Sequence, residues 1–184
     1  GAYDQRERQE MVDFMNANNL KPTLLLNTHC HLDHVFSNAF IQEKYNLDLH
    51  AHEMEKMVLN SAPKAAHLYG MTMESSPDIA VFIDEGETIE FGNTTLEILL
   101  TPGHSPGCLC FLHRPTKTLV AGDVLFFDSI GRTDLPGGDH QTLLDSIQSK
   151  LLPLEDDWKV FCGHGPETTI GRERRYNPFV SELS

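Results

Sequence analysis

The sequence predicts a layered fold of the α/β or α+β class, formed as a single domain over residues 1–184. Three observations support this prediction. Short apolar runs bounded by turn residues recur along the chain, and segments with helical spacing lie between them. The composition, 40% hydrophobic and 22% charged, is typical of folded globular proteins. We find no repeat, low-complexity segment or linker that would mark a second domain.

The first half of the chain is predicted to contain both helices and strands. Apolar residues recur at helical spacing between residues 4 and 19, and Pro22 marks the end of this amphipathic helix. The apolar run of residues 23–27 is predicted as a buried strand. We further predict a helix over 36–45, a strand over 47–50, a helix over 53–60 and a long loop over 61–78, which contains Pro63, Gly70 and Pro77.

The second half changes to a β pattern from Ile79 onward. Short apolar runs are separated there by turn residues such as Gly92-Asn93 and Pro115-Thr116, which is typical of adjacent strands. The predicted strands cover residues 88–91, 94–100, 108–113 and 118–121, followed by a helix over 141–152 and a last strand over 159–162.

Charge and hydropathy disfavour two classes of partner. The formal net charge is −13, from 14 Lys and Arg against 27 Asp and Glu. A protein that neutralises phosphates needs a basic face, so we expect neither nucleic-acid binding nor adhesion to anionic membranes. No apolar run approaches the roughly 18–20 residues that span a bilayer, and the polar first ten residues do not resemble a signal peptide.

The four cysteines form no Cys-x-x-Cys pair. Cys108 and Cys110 alternate along an apolar run, so both side chains are predicted to lie on one strand face as buried thiols. This cysteine use fits a reducing, cytoplasmic location.

Four of the predicted strands lead into residue types that ligate metals. The first leads to the heptapeptide T-H-C-H-L-D-H at residues 28–34, and the others lead to His104, Asp123 and His164, each beside a glycine. Sites in layered sheets usually lie at the carboxyl ends of strands, so these side chains are expected to converge if the strands are neighbours.

The heptapeptide has the spacing of a chelating segment. His29 and His31 are two residues apart, so in an extended stretch they face one way and bind one ion. Asp33 and His34 follow as the chain turns, and are positioned to reach a second ion. Imidazole and carboxylate ligands suit Zn²⁺, and also iron or manganese.

With His104, His164 and Asp123, the set becomes five histidines and two aspartates. Each of the two histidines can complete one ion, and the aspartate can bridge both, which predicts a dinuclear site with ions ~3.5–4 Å apart. Two divalent ions at +4 would face two carboxylates at −2, so the remaining charge would stabilise a hydroxide and an oxyanion. Turns that aim the ligands inward are predicted at Gly103, Gly122, Gly163 and Gly165.

Alternative interpretations are weaker. His104, Asp123 or His164 alone has an ordinary interpretation as a turn or loop residue, whereas the histidine cluster does not. Serine-hydrolase and nucleotide-binding motifs are absent from the sequence. Five histidines lack partners at ligand spacing and are predicted to be structural or surface residues: His50, His52, His67, His113 and His140. Of these, His67 and His140 are expected to lie nearest to a substrate pocket.

The motifs T-H-C-H-L-D-H, T-P-G-H-S-P-G, A-G-D-V-L-F and C-G-H-G-P resemble those of the metallo-β-lactamase superfamily of hydrolases, over about residues 22–179. The resemblance implies a four-layer αββα sandwich with a dinuclear metal site between its sheets. It assigns His29, His31 and His104 to the first metal, Asp33, His34 and His164 to the second, and Asp123 to a bridging position.

The stretches G-R-T-D-L-P-G-G-D at 131–139 and G-H-G-P-E-T-T-I-G-R-E at 163–173 are similar to the short, glyoxalase II-like branch, the hydroxyacylglutathione hydrolases. This implies a thioesterase that uses a metal-bridging hydroxide on a small thioester, with two divalent ions, zinc first and iron or manganese as alternatives. Asp33 and Asp123 would be the catalytic carboxylates. Arg132 and Arg172 are candidate substrate residues, although a salt bridge from Arg132 to Asp134 or Asp139 is an equal alternative.

Two other activities remain open within the superfamily. A mononuclear iron persulfide dioxygenase shares the G-R-T-D feature, and other small esters or lactones are alternative substrates. Zinc β-lactamases generally carry cysteine where Asp123 stands, so antibiotic hydrolysis is not predicted. Compared with the family, the first strands and a helical C-terminal region are expected to be missing, and exposed sheet edges would allow an oligomer.

Overall fold

The computed structural model describes residues 1–183 and divides into two compact units, Gly1–Phe82 and Ile83–Ser184. Both contain strands and helices, as the predicted fold class requires. Within the described residues, no helix is long and apolar enough to cross a membrane.

The first unit is built on a three-stranded sheet in the order β1-β2-β3, with all pairs parallel. Parallel strands need crossover connections, and helices provide them here. The apolar core of this unit includes Cys30, Leu49, Leu59 and Ile79. The elements are α1 (Gln5–Ala17), β1 (Leu25–Leu26), α2 (Leu32–Val35), α3 (Asn38–Tyr45), β2 (Leu49–Ala51), a 3₁₀ turn (Glu53–Glu55), α4 (Lys56–Leu68) and β3 (Ile79–Phe82).

The predicted loop over residues 61–78 is wrong in its first half, because α4 continues to Leu68. Pro63 lies inside this helix and cannot donate a main-chain hydrogen bond. The buried residues Leu59, Ala62 and Ala66 continue one apolar stripe past the proline. Burial of this stripe offsets the missing hydrogen bond, so the helix does not end where the proline suggests.

The second unit is built on a six-stranded sheet in the order β11-β10-β7-β6-β5-β4. Every pair is antiparallel except β7 and β10, which are parallel. The elements are β4 (Thr88–Phe91), β5 (Thr94–Leu100), β6 (Leu109–His113), β7 (Thr118–Gly122), β8 (Leu125–Phe126), β9 (Ser129–Ile130), α5 (His140–Ser146), a π-helical turn (Ile147–Leu151), β10 (Lys159–Cys162), β11 (Thr168–Thr169), α6 (Ile170–Tyr176) and a 3₁₀ turn (Ser181–Leu183).

The core of the second unit confirms the predicted burial of Cys108 and Cys110, which are both fully buried. They pack with Leu119, Leu143 and Trp158 in one apolar cluster. Burial raises the pKa of the Cys110 thiol to about 12. This thiol therefore stays protonated at neutral pH, as expected for a packing residue.

Candidate metal centre

The first ligand group consists of His29, His31, Asp33 and His34, which all lie in the first unit. The chain leaves β1 at Leu26, stays extended at His31 and enters α2 at Leu32. This brings the ring centroid of His29 to 4.9 Å from that of His31 and 4.1 Å from that of His34. His34 Nε2 lies 3.5 Å from Asp33 Oδ2. Three imidazoles and a carboxylate are thus brought together by six consecutive positions.

Buried polar residues form hydrogen bonds with the main chain of this ligand segment. The amide of Asn27 donates to the carbonyl of His34 over 3.3 Å and accepts from the Asn38 amide over 2.8 Å. On the other side, the main-chain N–H of Cys30 donates to Glu55 Oε2 over 2.8 Å. The loop is therefore tied to α3 and to the turn before α4. The buried residues Asn27, Asn38 and Glu55 were not predicted as site residues, because a single Asn or Glu does not form a recognisable motif in the sequence.

The second ligand group consists of His104, Asp123 and His164, which all lie in the second unit. Strands β5, β7 and β10 run in the same direction, so their carboxyl ends meet at one edge of the sheet. Each of the three ligands follows one of these ends. His104 Nε2 lies 3.5 Å and His164 Nε2 lies 3.4 Å from the same oxygen, Asp123 Oδ2. The expected convergence of strand ends is confirmed for these three strands.

The ring orientation of His104 is fixed by its other nitrogen. Nδ1 lies 2.7 Å from the carbonyl oxygen of Arg132. Because a carbonyl only accepts hydrogen bonds, this contact places the proton on Nδ1 and leaves Nε2 free of it. A second partner of this kind is typical of metal-bound histidines, since it fixes both the tautomer and the ring plane.

Gly163 allows the main chain to pass directly beside the Asp123 carboxylate. A Cβ at this position would lie 2.0 Å from Asp123 Oδ1 and 3.0 Å from the carbonyl oxygen of Gly122. The Gly163 N–H donates to that carbonyl over 2.7 Å and extends the pairing of β7 with β10. Residue 163 is therefore glycine because any side chain would displace the carboxylate.

The donor chemistry of both groups fits divalent metal ions. Each offers imidazole nitrogens and a carboxylate, which is a set that suits zinc, iron or manganese. Each also has a buried and an open end: His29 and His104 are 0% and 3% exposed, whereas the side chains of Asp33 and His164 are about half exposed. The buried Asp123 carboxylate is a costly group unless a cation compensates it.

The candidate substrate residue Arg132 lines an open cavity of about 330 Å³ in the second unit. Its guanidinium forms two hydrogen bonds of 2.7 Å with the carboxylate of Asp134, as one of the two sequence interpretations anticipated. His140 and Phe179 line the same cavity, and the Arg132 carbonyl contacts His104. The cavity therefore adjoins the second ligand group, and a substrate role for Arg132 stays a prediction.

The ion pair between Arg132 and Asp134 gives a measurable titration. The Arg132 hydrogen bonds lower the pKa of Asp134 to about 2. Since this lies below the ordinary value of ~3.9, the pair favours the folded protein above about pH 4 and loses that effect as the pH falls through 2. We expect a carboxyl-carbon NMR titration of Asp134 with a midpoint near 2, moving toward 4 in Arg132→Ala. An unchanged midpoint in the variant would contradict this assignment.

The other candidate, Arg172, is a partly exposed residue in the second unit that joins a polar network around the buried Glu173. Its guanidinium bonds to Asp128 Oδ1 and to Glu173 Oε1, each over 2.7 Å, and stacks 3.6 Å from the centroid of the Phe127 ring. Glu173 also accepts from the Asp128 main chain and the Asn177 amide, each over 2.9 Å. The network anchors the β8–β9 hairpin, which follows Asp123, to α6. A substrate role for Arg172 stays a prediction, whereas its structural contacts are clear.

Glu173→Ala is expected to destabilise the second unit by about 3–5 kcal/mol, because Glu173 is fully buried and its loss leaves several buried donors unpaired. Urea denaturation followed by circular dichroism measures the change. Glu167→Ala, at an exposed glutamate in the segment before β11, is the matched control and should stay within ~0.5 kcal/mol of wild type. Equal stability of the two variants would show that the polar network around Glu173 does not stabilise the second unit.

The five unassigned histidines have varied surroundings. His50 Nδ1 lies 2.9 Å from the carbonyl oxygen of Asp48. His52 is buried and accepts the Met54 N–H over 3.2 Å, and His113 Nδ1 contacts Thr116 Oγ1 over 2.6 Å. His140 lines the cavity beside Arg132, and its approach to a substrate stays a prediction. His67 is exposed in the last turn of α4.

Residues 4–164 match the family model described as "Metallo-beta-lactamase superfamily". The hydroxyacylglutathione hydrolase GloC of Haemophilus influenzae is 38% identical over 185 residues, covering 97% of this chain and 85% of that protein.

Two solved structures are similar over nearly the whole chain. The di-iron-bound form of TTHA1623 has a TM-score of 0.89 at 34% identity and covers 97% of this chain and 86% of that one. The BLEG-1 B3 metallo-beta-lactamase has a TM-score of 0.87 at 35% identity, covering 94% and 84%. The fold class predicted from the motifs is therefore confirmed.

Proposed function

The chain belongs to the metallo-beta-lactamase superfamily of metallo-hydrolases, and from this premise we propose that it hydrolyses small thioesters at a dinuclear metal centre. The observation that carries the proposal is the second ligand group, in which two imidazoles approach one buried carboxylate oxygen at 3.4 and 3.5 Å. This arrangement suits a bridging carboxylate between two ions.

We assign the ligands as the family resemblance implies. His29, His31 and His104 would hold one ion, Asp33, His34 and His164 would hold the other, and Asp123 would be shared by both. The similar structure of TTHA1623 is a di-iron-bound form, which supports two ions per chain. Zinc is our first choice for the metal, and the same ligands would accept iron or manganese.

When bound, divalent ions would supply a water-derived nucleophile at neutral pH and polarise the thioester carbonyl. The protein's own groups would position the ligands and orient the nucleophile. The Arg132 carbonyl keeps the His104 proton on Nδ1, so Nε2 presents its lone pair to the metal site. Asp33, whose carboxylate is about half exposed, would orient the nucleophile, and the buried Asp123 would carry negative charge beside His104 and His164.

A thioester is the substrate class best supported. The relative GloC is named a hydroxyacylglutathione hydrolase and is similar along 97% of this chain. The cavity of about 330 Å³ that Arg132 and His140 line is our candidate site for the thiol-bearing part of such a substrate. We therefore propose S-lactoylglutathione as the first compound to test. The other proposed properties are a cytoplasmic location, no nucleic-acid or membrane partner, and oligomers through exposed sheet edges.

The test is a panel assay on protein of measured metal content. We expect about two metals per chain, hydrolysis of S-lactoylglutathione without oxygen, loss of activity with a chelator and its recovery on adding Zn²⁺, Fe²⁺ or Mn²⁺. One iron per chain with oxygen uptake on a glutathione persulfide would establish a dioxygenase instead. Hydrolysis of lactones or β-lactams with inert thioesters would also overturn the proposal, and the similarity to BLEG-1 makes the β-lactam arm a necessary one.

A further inference from the structure

Glu55 is a fully buried carboxyl group that the proposed reaction does not use. It contacts Cys30, a residue of the apolar core of the first unit. Burying a carboxyl group costs several kcal/mol unless hydrogen bonds compensate it. A glutamate at such a position therefore needs an explanation, and its contacts provide one.

One of these contacts joins Glu55 to the metal-binding segment. Glu55 Oε2 accepts the main-chain N–H of Cys30 over 2.8 Å. Cys30 stands between His29 and His31, the two ligands that share one ion in the proposed centre. A hydrogen bond to the peptide between two ligands fixes the main chain of both of them relative to α4.

The support that presents Glu55 is itself well ordered by hydrogen bonds. The Glu55 N–H donates to the carbonyl of His52 over 3.0 Å, and the His52 ring accepts the Met54 N–H over 3.2 Å. The next residue, Lys56, begins α4. The carboxyl group thus sits on a capped 3₁₀ turn fused to a helix of 13 residues, which limits its movement.

We propose that Glu55 is a positioning residue for the first ligand group, which holds the Cys30 peptide so that His29 and His31 face one ion before the metal arrives. The inference rests on the metal centre proposed above. Outer partners of this kind typically contribute 10–100-fold to metal affinity. The effect here runs through the main chain rather than through a ligand ring, so no change in the ligands themselves is required.

Variants of Glu55 test the inference through metal affinity, measured by competition for Zn²⁺ with a chromophoric chelator. We expect Glu55→Ala to bind Zn²⁺ about 10–100-fold more weakly than wild type. Glu55→Gln keeps an amide oxygen that accepts the Cys30 N–H, so its affinity should stay within about threefold of wild type. Wild-type affinity in Glu55→Ala, or equal losses in both variants, would overturn the inference.

Glu53→Ala is the matched control. Glu53 lies in the same turn, but it is exposed and pairs at 3.7 Å with Lys56 on the surface. Surface pairs of this kind contribute little, so we expect Zn²⁺ affinity to be unchanged in this variant. A loss equal to that of Glu55→Ala would mean that the turn, and not the Cys30 hydrogen bond, sets the affinity, and would overturn the inference.

A second measurement does not depend on the folding of Glu55→Ala. In metal-free wild-type protein and in Glu55→Gln, the Cys30 amide should be protected from hydrogen exchange, because its acceptor is present without metal. Exchange of this amide at the rate of an exposed loop would overturn the inference. The thioester panel separates the two proposals: if wild type binds metal as described here but cleaves no thioester, only the proposed function fails.

Discussion

Asp123→Ala is expected to lower kcat/KM for thioester hydrolysis at least about a thousandfold, which corresponds to ~4 kcal/mol of transition-state stabilisation. The Asp123 Oδ2 atom is the one oxygen that both His104 Nε2 and His164 Nε2 approach, at 3.5 and 3.4 Å. Its removal deletes the proposed bridging ligand and leaves the two histidines without the carboxylate that draws them together. We expect the variant to lose metal as well as activity, which elemental analysis will measure.

Asp145→Ala is the control for this prediction. Asp145 is an exposed residue of α5 in the same unit, and its carboxylate accepts a hydrogen bond from the Gln141 amide over 2.9 Å. Its loss removes a negative charge without touching either ligand group, so kcat/KM and metal content should match wild type. If Asp123→Ala keeps two metals and activity within tenfold of wild type, the dinuclear assignment of Asp123 is wrong.

Gly103→Ala is expected to cost about 3–5 kcal/mol in the free energy of unfolding. Gly103 has φ +131°, a conformation that residues with a side chain rarely adopt. A Cβ there would also lie 2.3 Å from the amide nitrogen and 2.4 Å from the Cα of Leu143. These are main-chain atoms of a helix, so they cannot rotate away as a flexible side chain would. Urea denaturation of the metal-free protein measures the loss.

Gly86→Ala separates the conformational cost of a positive φ from the cost of the steric clash. Gly86 has φ +82°, but no atom lies within 4 Å of the position its Cβ would take. This variant should therefore cost only the conformational part, about 1–2 kcal/mol. If Gly103→Ala is no more destabilising than Gly86→Ala, the packing of the His104 loop against α5 is looser than the structure indicates.

The ligand set could be recognised from the sequence because its signal is local. His29, His31, Asp33 and His34 lie within six positions, and their spacing alone restricts how an extended chain can present them. His104, Asp123 and His164 were found because each follows an apolar run that ends beside glycine. The structure brings these three together through the parallel direction of β5, β7 and β10, which the strand runs alone do not specify.

The features that sequence reasoning missed depend on contacts between distant positions. Glu55 and Glu173 have ordinary neighbours in the sequence, and only the folded chain shows that both carboxyl groups are buried against main-chain N–H groups. The hairpin of β8 and β9 has two residues in each strand, too few for a periodic pattern. The helix α4 was predicted too short because Pro63 is a strong local signal, whereas the apolar stripe that outweighs it acts through packing.

The different sequence spans of the two ligand groups have a consequence for how the protein acquires its metal during synthesis. The first group spans six residues, so a nascent chain carries a small chelating segment as soon as residue 34 has emerged. The second group needs residues 104, 123 and 164, and exists only after β10 has paired with β7, a contact of high sequence separation. Metal held by the unfolded segment contributes nothing to folding stability, because only binding that favours the native state does so. We therefore expect the increase in the free energy of unfolding on metal binding to depend mainly on the second ligand group, which forms late.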